Sequence, residues 1–345
     1  MRAGSAMVDS LSQEGIAWPH PKGGREVNTS IALTRYRVTL EALEPLDLPA
    51  YLGSTLRGAF GQAFRRLACP ARNGEDCPIP ETCPYELIFS TKLPPDAQAL
   101  RSYDEIPRPF VIGPPPAAAR QYPAGSDLAF ELILIGRARQ FFPYFVVTFR
   151  EIDGLGRGRR AVKLRRIEVV HPLTGESQSV YTAEQNLVRA HEVAVSLSDC
   201  ASTPPTGPLR ICFLTQTRLK HEGTIVRRPD FHVVFRALLR RLSSLALFHC
   251  DTRLEVDYRG LIAEAEAIKL VRDETRWEEW ARYSSRQGQR MEWGGFTGTA
   301  TYEGDFTPFW PYLVFGQWTH VGKGATFGLG QYRLSPESPD GGRNP

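Results

Sequence analysis

The stretch "RYRVTLEALEPLDLPAYLGSTLRGAFGQAFRRLAC" runs from Arg35 to Cys69 and contains two different hydrophobic periods. Its first eight residues alternate between apolar and polar side chains, which is the period of a half-buried β-strand. From Tyr51 onward the apolar residues recur at every third or fourth position, which predicts an amphipathic helix. That apolar stripe consists of Leu52, Leu56, Ala59, Phe60, Ala63, Phe64 and Leu67. The stretch therefore predicts a strand followed by a helix.

The same order of elements continues along the first half and then recurs in the second. In the first half we predict strands around 85–90, 108–113 and 127–136, a helix over 141–152 and a strand over 159–172. In the second half we predict a strand over 208–220, a helix over 229–248, strands over 276–284 and 296–303, a helix from 306 and a strand over 327–334. Pro143 suits the first turn of its helix, whereas Pro311 is expected to shorten or distort the last helix.

In each half the order of the predicted elements is strand, helix, strand, strand, helix, strand. This is the βαββαβ pattern of ferredoxin-like domains. We therefore predict an α+β fold with tandem ferredoxin-like (RRM-like) domains. The predicted division is a disordered extension over 1–28, an N-terminal domain over 29–172, a connector over 173–204, a C-terminal domain over 205–336 and a tail over 337–345. The clearest linker signal is "STPPTG" at the end of the connector.

Composition limits the classes of function. The chain has 345 residues, of which 42% are hydrophobic and 23% charged, so it is long enough to bury a sizeable core. Its formal net charge of +4 permits a nucleic-acid partner without requiring one. No segment approaches the ~18 consecutive apolar residues of a membrane span. We expect a cytoplasmic protein that does not contact a membrane.

The segment "HVGKGATFGLGQY", from His320 to Tyr332, contains four closely spaced glycines. They are Gly322, Gly324, Gly328 and Gly330. Glycines reach positive φ without a Cβ penalty, so such a loop can turn its amides toward an anion. The alternative is a tight turn that packs closely against a helix. Familiar nucleotide motifs do not fit, because Lys323 is followed by glycine and Phe327 stands where a dinucleotide loop needs glycine.

Three cysteines, Cys69, Cys77 and Cys83, lie in the Pro-rich loop over 69–85. Their spacing contains no C-x-x-C pair, and structural zinc usually takes four ligands. Structural zinc or an iron–sulfur centre therefore needs a further ligand from elsewhere. Free thiols in a turn-rich loop are the alternative.

Four segments resemble a known family. They are "LRGAFGQAFRRL", "CPIPETCPY", "RQGQRMEWGGFTGTATYEGD" and "GKGATFGLG". With the doubled fold pattern, they resemble the CRISPR repeat-processing endoribonucleases of the RAMP superfamily, and more narrowly the branch with a cysteine-bearing loop after the first helix. The resemblance covers nearly the whole chain. Relatives often have another cysteine where Gly74 stands here.

This resemblance implies cleavage of precursor CRISPR RNA at the 3′ base of the repeat hairpin without a metal. The 2′-hydroxyl attacks the phosphate and leaves a 5′-hydroxyl and a 2′,3′-cyclic phosphate. It also implies that the protein stays on the hairpin of the mature guide RNA, beside other subunits of a CRISPR effector complex. No cofactor is expected for cleavage.

The chemistry requires a base, an acid and a group that stabilises the phosphorane. Many members have a histidine on the first helix, but the helix from Tyr51 contains none. His320 is our main candidate for base or acid, with Lys323 for the phosphorane. Tyr283 or Tyr51 is the candidate for positioning the 2′-hydroxyl. A helix-terminal histidine bonded to a carbonyl is the alternative for His320. His221 is the reserve candidate.

Basic residues and the glycine loop are the predicted RNA contacts, because RNA stems are recognised mainly through shape and phosphates. The predicted set is Gly322, Gly324, Gly328, Gly330, Arg286, Arg290, Lys220, Arg227, Arg228, Arg157, Arg160 and Lys163. A solvated charged face is the alternative for each basic stretch. Two further functions stay open: a non-catalytic RAMP subunit that binds guide RNA, and a protein that binds a small nucleotide through the glycine loop.

Overall fold

A computed structural model describes residues 31–71, 75–91, 106–115, 120–156, 158–189, 191, 193–284 and 289–336. The first half supplies strands β1 (Ala32–Ala42), β2 (Leu46–Asp47), β3 (Phe110–Gly113), β4 (Gln121–Tyr122), β5 (Asp127–Ile135), β6 (Gly154–Leu155) and β7 (Arg160–Val170), with helices α1 (Gly53–Ala68) and α2 (Phe142–Arg150). The predicted connector supplies β8 (Ser177–Thr182), β9 (Leu187–Val188) and β10 (Val195–Ser196).

The second half supplies β11 (Leu209–Thr217), β12 (Leu219–His221), β13 (Thr224–Val226), β14 (Lys269–Ser284), β15 (Gln289–Glu303) and β16 (Tyr332–Pro336), with helices α3 (Phe231–His249), α4 (Tyr258–Glu266) and α5 (Trp310–Thr319). Pro311 lies in the first turn of α5, where its missing N–H has no helical acceptor, so it does not distort the helix.

The two main sheets have the same strand order. The first runs β3-β5-β1-β7 and continues through β8 and β9, while the second runs β14-β15-β11-β16. All these pairs are antiparallel. In each half the first strand lies between the third and the fourth, as in a ferredoxin-like fold. The tandem ferredoxin-like prediction is confirmed.

Residues 85–90 do not form the predicted strand. Glu86–Ser90 forms a π-helical turn, which begins just after Cys83. Tyr85 and Phe89, four residues apart, both pack on helix α1, where Tyr85 contacts Phe64 and Phe89 contacts Phe60. Apolar residues four positions apart lie on the same face of a helix and also on the same face of a short strand. The prediction was wrong because a short apolar run does not distinguish the two.

Phe60 lies at the centre of the N-terminal core. It is fully buried and its ring contacts those of Phe145 at 4.9 Å and Phe149 at 5.1 Å, both from α2. These contacts hold α1 and α2 side by side on the first sheet. Because α1 carries its apolar stripe on one face, this packing determines where its N-terminus points.

None of the helices in the described part of the chain is long and apolar enough to cross a membrane.

Candidate active site at the glycine-rich loop

The glycine-rich loop leaves helix α5 at His320 and enters strand β16 at Tyr332. Several of its backbone amides bond inside the protein. The N–H of Lys323 donates to Arg218 at 3.0 Å, and that of Gly330 donates to Gln216 at 3.1 Å. A 3₁₀ turn over Ala325–Phe327 closes the loop, with the Gly328 N–H donating to Ala325. The loop is therefore fixed to strand β11 and the residues that follow it.

The four glycines of this loop all have positive φ, between 70° and 83°. At Gly328 a Cβ would lie 2.6 Å from the Pro114 ring and 3.0 Å from the Ile112 carbonyl oxygen of the N-terminal half. Close packing is thus a sufficient reason for glycine there, without any ligand. Gly322 and Gly324 are partly exposed whereas Gly328 and Gly330 are buried, so an anion can approach only the first two.

Helix α1 meets the loop from the other half of the molecule. Tyr51 lies just before α1, and its hydroxyl donates a 2.5 Å hydrogen bond to the Phe327 carbonyl. Burial raises the pKa of Tyr51 well above its ordinary value, so the hydroxyl stays protonated and donates. Because this hydroxyl is buried and bonded to the loop, it does not face a substrate 2′-hydroxyl as one of the sequence-based candidates required. A Cβ at Gly53 would clash with the same carbonyl, which explains the glycine at the start of the helix.

Arg57, one turn further along α1, lies between two aromatic rings. Its guanidinium carbon is 4.3 Å from the ring centroid of Phe327 and 4.5 Å from that of Phe89. Such cation–π contacts contribute about 0.5–2 kcal/mol each, and more when water is excluded. Arg57 was not among the sequence-predicted site residues, although its position off the apolar stripe of α1 set it apart.

His320 is enclosed, with 3% of its surface exposed. Its Nδ1 lies 3.1 Å from the Leu329 carbonyl oxygen, and its backbone N–H donates to Gly316. Burial, reinforced by the charge of Arg241, lowers its pKa to about 3. The imidazole is therefore neutral near pH 7, with Nδ1–H as the donor to Leu329. This geometry is that of a helix-terminal histidine bonded to a carbonyl.

The backbone of His320 is strained, with φ 63° and ψ 171°. This region is almost restricted to glycine, and a residue held there costs on the order of 1–3 kcal/mol. Strain of this kind is concentrated at functional sites. The conformation ends helix α5 and turns the chain into the glycine loop.

Arg241 approaches His320 from helix α3. Its Nε donates a 2.8 Å hydrogen bond to the carbonyl of Thr319, the last residue of α5. A cation at a helix C-terminus is favourable because the last carbonyls carry partial negative charge. Burial lowers the pKa of Arg241 to about 10, so it stays charged at neutral pH. Arg241 therefore adds to the effect of burial in keeping His320 neutral, and it also bonds to the end of α5.

Several predicted RNA contacts lie on the same part of the C-terminal half as the loop. Lys323 is exposed, and its backbone N–H donates to the carbonyl of Arg218, the residue that follows β11. Lys220 is exposed on β12. Arg227 follows β13 with its guanidinium 4.8 Å from the Trp277 ring, and Arg228 pairs with Asp230. His221, the reserve candidate, lies at the end of β12 beside His232. The basic hairpin β12–β13 thus flanks the loop.

The other predicted contacts are elsewhere. Tyr283 and Arg290 form a backbone pair in the β14–β15 ribbon, and their side chains lie outside the described structure, as does the whole of Arg286. The last residue of β15 that pairs with β11 is Phe296. Arg290 lies six residues before it in the chain, which is about 20 Å along the strand. Arg160 and Lys163 lie on β7, where Lys163 pairs with Glu41, and Arg157 is outside the described residues.

A cleft of about 610 Å³ opens where the two halves meet, and His320 forms part of its wall. Its basic residues come from both halves: Arg35 and Arg37 from β1, and Arg333 from β16. Arg35 forms an ion pair with Glu131 across the sheet. The alternation in "RYRVTLEA" puts Arg35 and Arg37 on the polar face of β1, but only the pairing of the halves brings Arg333 to the same cleft.

The thiols of Cys69, Cys77 and Cys83 lie within 4.8 Å of one another. Cys69 caps the C-terminus of α1, and the other two belong to the loop that follows. The three sequence-predicted ligands are therefore brought together at the C-terminal end of α1, the helix whose N-terminal end meets the glycine loop.

Comparisons with known proteins agree with this architecture. Residues 211–332 match the family model of the CRISPR-associated endoribonuclease Cas6, and residues 31–193 match a model described as an N-terminal domain. A Cas6 (TTHB231) product complex is 17% identical, with 88% of this chain and 100% of that chain covered and a TM-score of 0.51. Cas6 (TTHB231) of Thermus thermophilus is 16% identical, with 89% and 99% covered and a TM-score of 0.52.

Part of a chain in a partial Cas6-RT-Cas1–Cas2 complex also has this fold, at 15% identity and a TM-score of 0.52. The match covers 90% of this chain and 47% of that one. No curated protein matches the chain.

Proposed function

We propose that this chain is a RAMP-type endoribonuclease of the CRISPR-associated Cas6 family and that it cleaves CRISPR repeat RNA at the 3′ base of the repeat hairpin. The observation that carries the proposal is the family match over residues 211–332, which includes the whole glycine loop. The basic residues beside that loop and in the cleft support an RNA substrate.

The proposed reaction needs no metal. The 2′-oxygen attacks the adjacent phosphorus while a base takes the 2′-hydroxyl proton, the bond from phosphorus to the 5′-oxygen breaks, and an acid protonates that oxygen. The products are a 2′,3′-cyclic phosphate and a 5′-hydroxyl. Negative charge grows on the phosphorane, so a cation at the phosphate lowers the barrier.

Lys323 is the proposed cation. It is exposed between the two partly exposed glycines of the loop, Gly322 and Gly324. Its backbone amide is held by Arg218, which fixes the base of the side chain while the ammonium stays free to move. A phosphate at Gly322–Gly324 therefore lies within reach of this side chain.

His320 is the proposed base or acid, and its strained backbone is the observation that favours it. Its low pKa and its bond to Leu329 keep the ring neutral and enclosed. Catalysis by His320 therefore requires the loop to move so that the ring, now enclosed in the wall of the cleft, becomes accessible to RNA. Tyr283, proposed to orient the 2′-hydroxyl, likewise requires the β14–β15 ribbon to bend toward the loop.

The enclosure of His320 favours a second candidate function, a RAMP subunit that binds guide RNA without cutting it. A neutral histidine with a pKa near 3 is a weak base, and the α1 helix contains no histidine. In either function we propose that the protein stays on the hairpin of the guide RNA beside other CRISPR effector subunits.

One assay separates the two. Purified protein is incubated in EDTA with the repeat RNA of its own genome, and with the same RNA carrying a 2′-deoxy substitution at the cut position. Cleavage of the first RNA alone, with a cyclic phosphate end, supports the endoribonuclease. Tight binding without cleavage supports the RNA-binding subunit, and neither binding nor cleavage overturns both.

His320→Ala and Lys323→Ala test the assignment of residues. We expect each variant to bind the hairpin and to cleave at least about a hundredfold more slowly, the usual effect of removing an acid–base or charge-stabilising group. The exposed Lys269→Ala is the control. Wild-type cleavage by His320→Ala would remove His320 from the mechanism.

A further inference from the structure

The cysteine cluster at the end of helix α1 has the geometry of a metal site. Its three Sγ atoms lie within 4.8 Å of one another. In a tetrahedral zinc site with Zn–S bonds of about 2.3 Å, neighbouring sulfurs are about 3.8 Å apart. The three thiols need to approach one another by at most about 1 Å to reach that geometry.

Burial opposes the anionic form of Cys83, whose thiol donates to the Ala68 carbonyl at 3.4 Å, so a thiolate there depends on the metal ion and on nearby donors. The backbone N–H groups of Glu86 and Tyr85 donate to the Sγ of Cys83 at the start of the π-helical turn. Arg65 and Arg66 occupy the last turn of α1, next to Cys69. Amide donors and cations both stabilise the anionic sulfur that a metal requires.

The three cysteines differ in how much of each is exposed to solvent. Cys83 is fully buried, 9% of Cys77 is exposed, and Cys69 is only half-buried. A metal held by them is therefore enclosed on the side of Cys83 and reaches solvent on the side of Cys69. That open side supplies the fourth position that the sequence leaves unassigned.

We propose that Cys69, Cys77 and Cys83 bind one Zn²⁺ as thiolates, with a water molecule as the fourth ligand. On binding, the three thiols release three protons to solvent and no atom changes oxidation state. Three thiolates with one open position suit zinc better than an iron–sulfur cluster, which ordinarily uses four cysteine ligands.

A metal bound at this site would stabilise the side chains that pack against the glycine loop. Zinc bound to Cys83 fixes the turn that carries Tyr85 and Phe89, whose rings stack at 5.2 Å. Phe89 in turn supports Arg57, which covers Phe327 of the glycine loop. The metal therefore reaches the loop through packed side chains and takes no part in the chemistry.

The test begins with metal content. Protein is purified under reducing conditions, stripped of metal, and titrated with Zn²⁺ against a chromogenic competitor. We expect one equivalent in the wild type and in Cys212→Ser, whose half-buried thiol lies on β11. In Cys77→Ser we expect the affinity for zinc to fall more than about tenfold. Absence of binding to the wild type, or equal binding to Cys77→Ser, overturns the proposal.

Cobalt substitution provides a readout that does not depend on a folded variant. Wild-type protein with one equivalent of Co²⁺ should develop thiolate-to-cobalt charge-transfer bands and the visible absorption of tetrahedral cobalt. Octahedral-type weak absorption overturns the three-thiolate site. A mass lower by two hydrogens after non-reducing purification, together with no zinc uptake after reduction, assigns the cluster to a disulfide instead. None of these readouts requires RNA, so they stand apart from the proposed cleavage.

Discussion

The hydroxyl of Tyr51 donates to the carbonyl of Phe327 across 276 residues of chain, and it joins helix α1 of the first half to the glycine loop of the second. The same carbonyl faces the bare Cα of Gly53, and the Phe327 ring lies under Arg57. One turn of α1 therefore determines the position of the loop. The geometry of the candidate site depends on how the two halves pack.

Tyr51→Phe should destabilise the protein by about 0.5–1.5 kcal/mol, because it removes the hydrogen bond from the Tyr51 hydroxyl to the Phe327 carbonyl. Urea unfolding at neutral pH measures the change. The matched control is Tyr258→Phe, which removes an exposed hydroxyl bonded to Ser243 and should stay within about 0.5 kcal/mol of wild type. Equal stability of the two variants would contradict the role of Tyr51.

Gly328→Ala tests whether the glycine is required by packing. Alanine at φ 83° costs about 1–2 kcal/mol in any setting. At Gly328 the new Cβ would also press on Pro114 and Ile112, whereas at Gly175, with φ 77°, it meets nothing within 4 Å. We expect the unfolding free energy of Gly328→Ala to fall below that of Gly175→Ala. Equal losses would mean that the backbone conformation alone explains the glycine.

Two buried histidines should make the protein less stable in mild acid. Burial lowers the pKa of His320 to about 3 and that of His249 to about 4, while an unfolded histidine titrates near 6.5. Below pH about 6.5 the unfolded chain therefore binds protons that the folded protein does not. The unfolding free energy should fall as the pH decreases toward 4, by up to about 1.4 kcal/mol per pH unit for each histidine.

Carboxylates also titrate in this pH range. The contribution of one histidine is therefore measured as the difference in unfolding free energy between a histidine variant and the wild type at each pH. In His320→Gln the slope of unfolding free energy against pH between 6.5 and 4 should be smaller by the contribution of one histidine. His191→Gln, at an exposed position, is the control variant. An unchanged slope in His320→Gln would mean that His320 protonates in the folded state.

Lys323 and Lys220 should contribute to RNA affinity through phosphates. Each contact with single-stranded RNA releases counterions and contributes about 0.7 to the slope of log affinity against log salt. We expect Lys323→Ala and Lys220→Ala each to lower the magnitude of the slope by about that amount, with a single-stranded RNA titrated at several salt concentrations. Lys269→Ala, exposed at the start of β14, is the control. A slope equal to wild type would place the lysine outside the RNA interface.

Much of the fold was predictable because each half repeats one pattern of local periods. The alternation in β1 and the stripe of α1 are one-dimensional signals, and both elements are confirmed. The π-helical turn at Glu86–Ser90 was not predictable in this way, since five residues fit a strand and a helical turn equally well. Helix α4 was missed because only Ala265 of its nine residues is fully buried.

The candidate site was less predictable because its parts come from distant segments. The glycines and Lys323 were visible as a motif, whereas the contact of Arg57 with Phe327 depends on how the two halves pack. The burial of His320 behind its own loop also depends on tertiary structure. A sequence pattern shows which residues are available and does not show which of them face solvent.

The β14–β15 ribbon extends the reach of the C-terminal half. Beyond the pair of Phe296 with Thr217, the two strands continue as a two-stranded ribbon out to the pair of Ser284 and Gln289. Near its base, Gln216 bonds to Glu278 and Arg218 donates to the Gly294 carbonyl. Two-stranded ribbons twist strongly and are marginally stable alone. The outer amides of this arm should therefore exchange their hydrogens much faster than those of β11. An RNA bound to this ribbon would slow that exchange. Hydrogen exchange can therefore report whether a bound RNA extends along the ribbon, beyond the sheet of the C-terminal half.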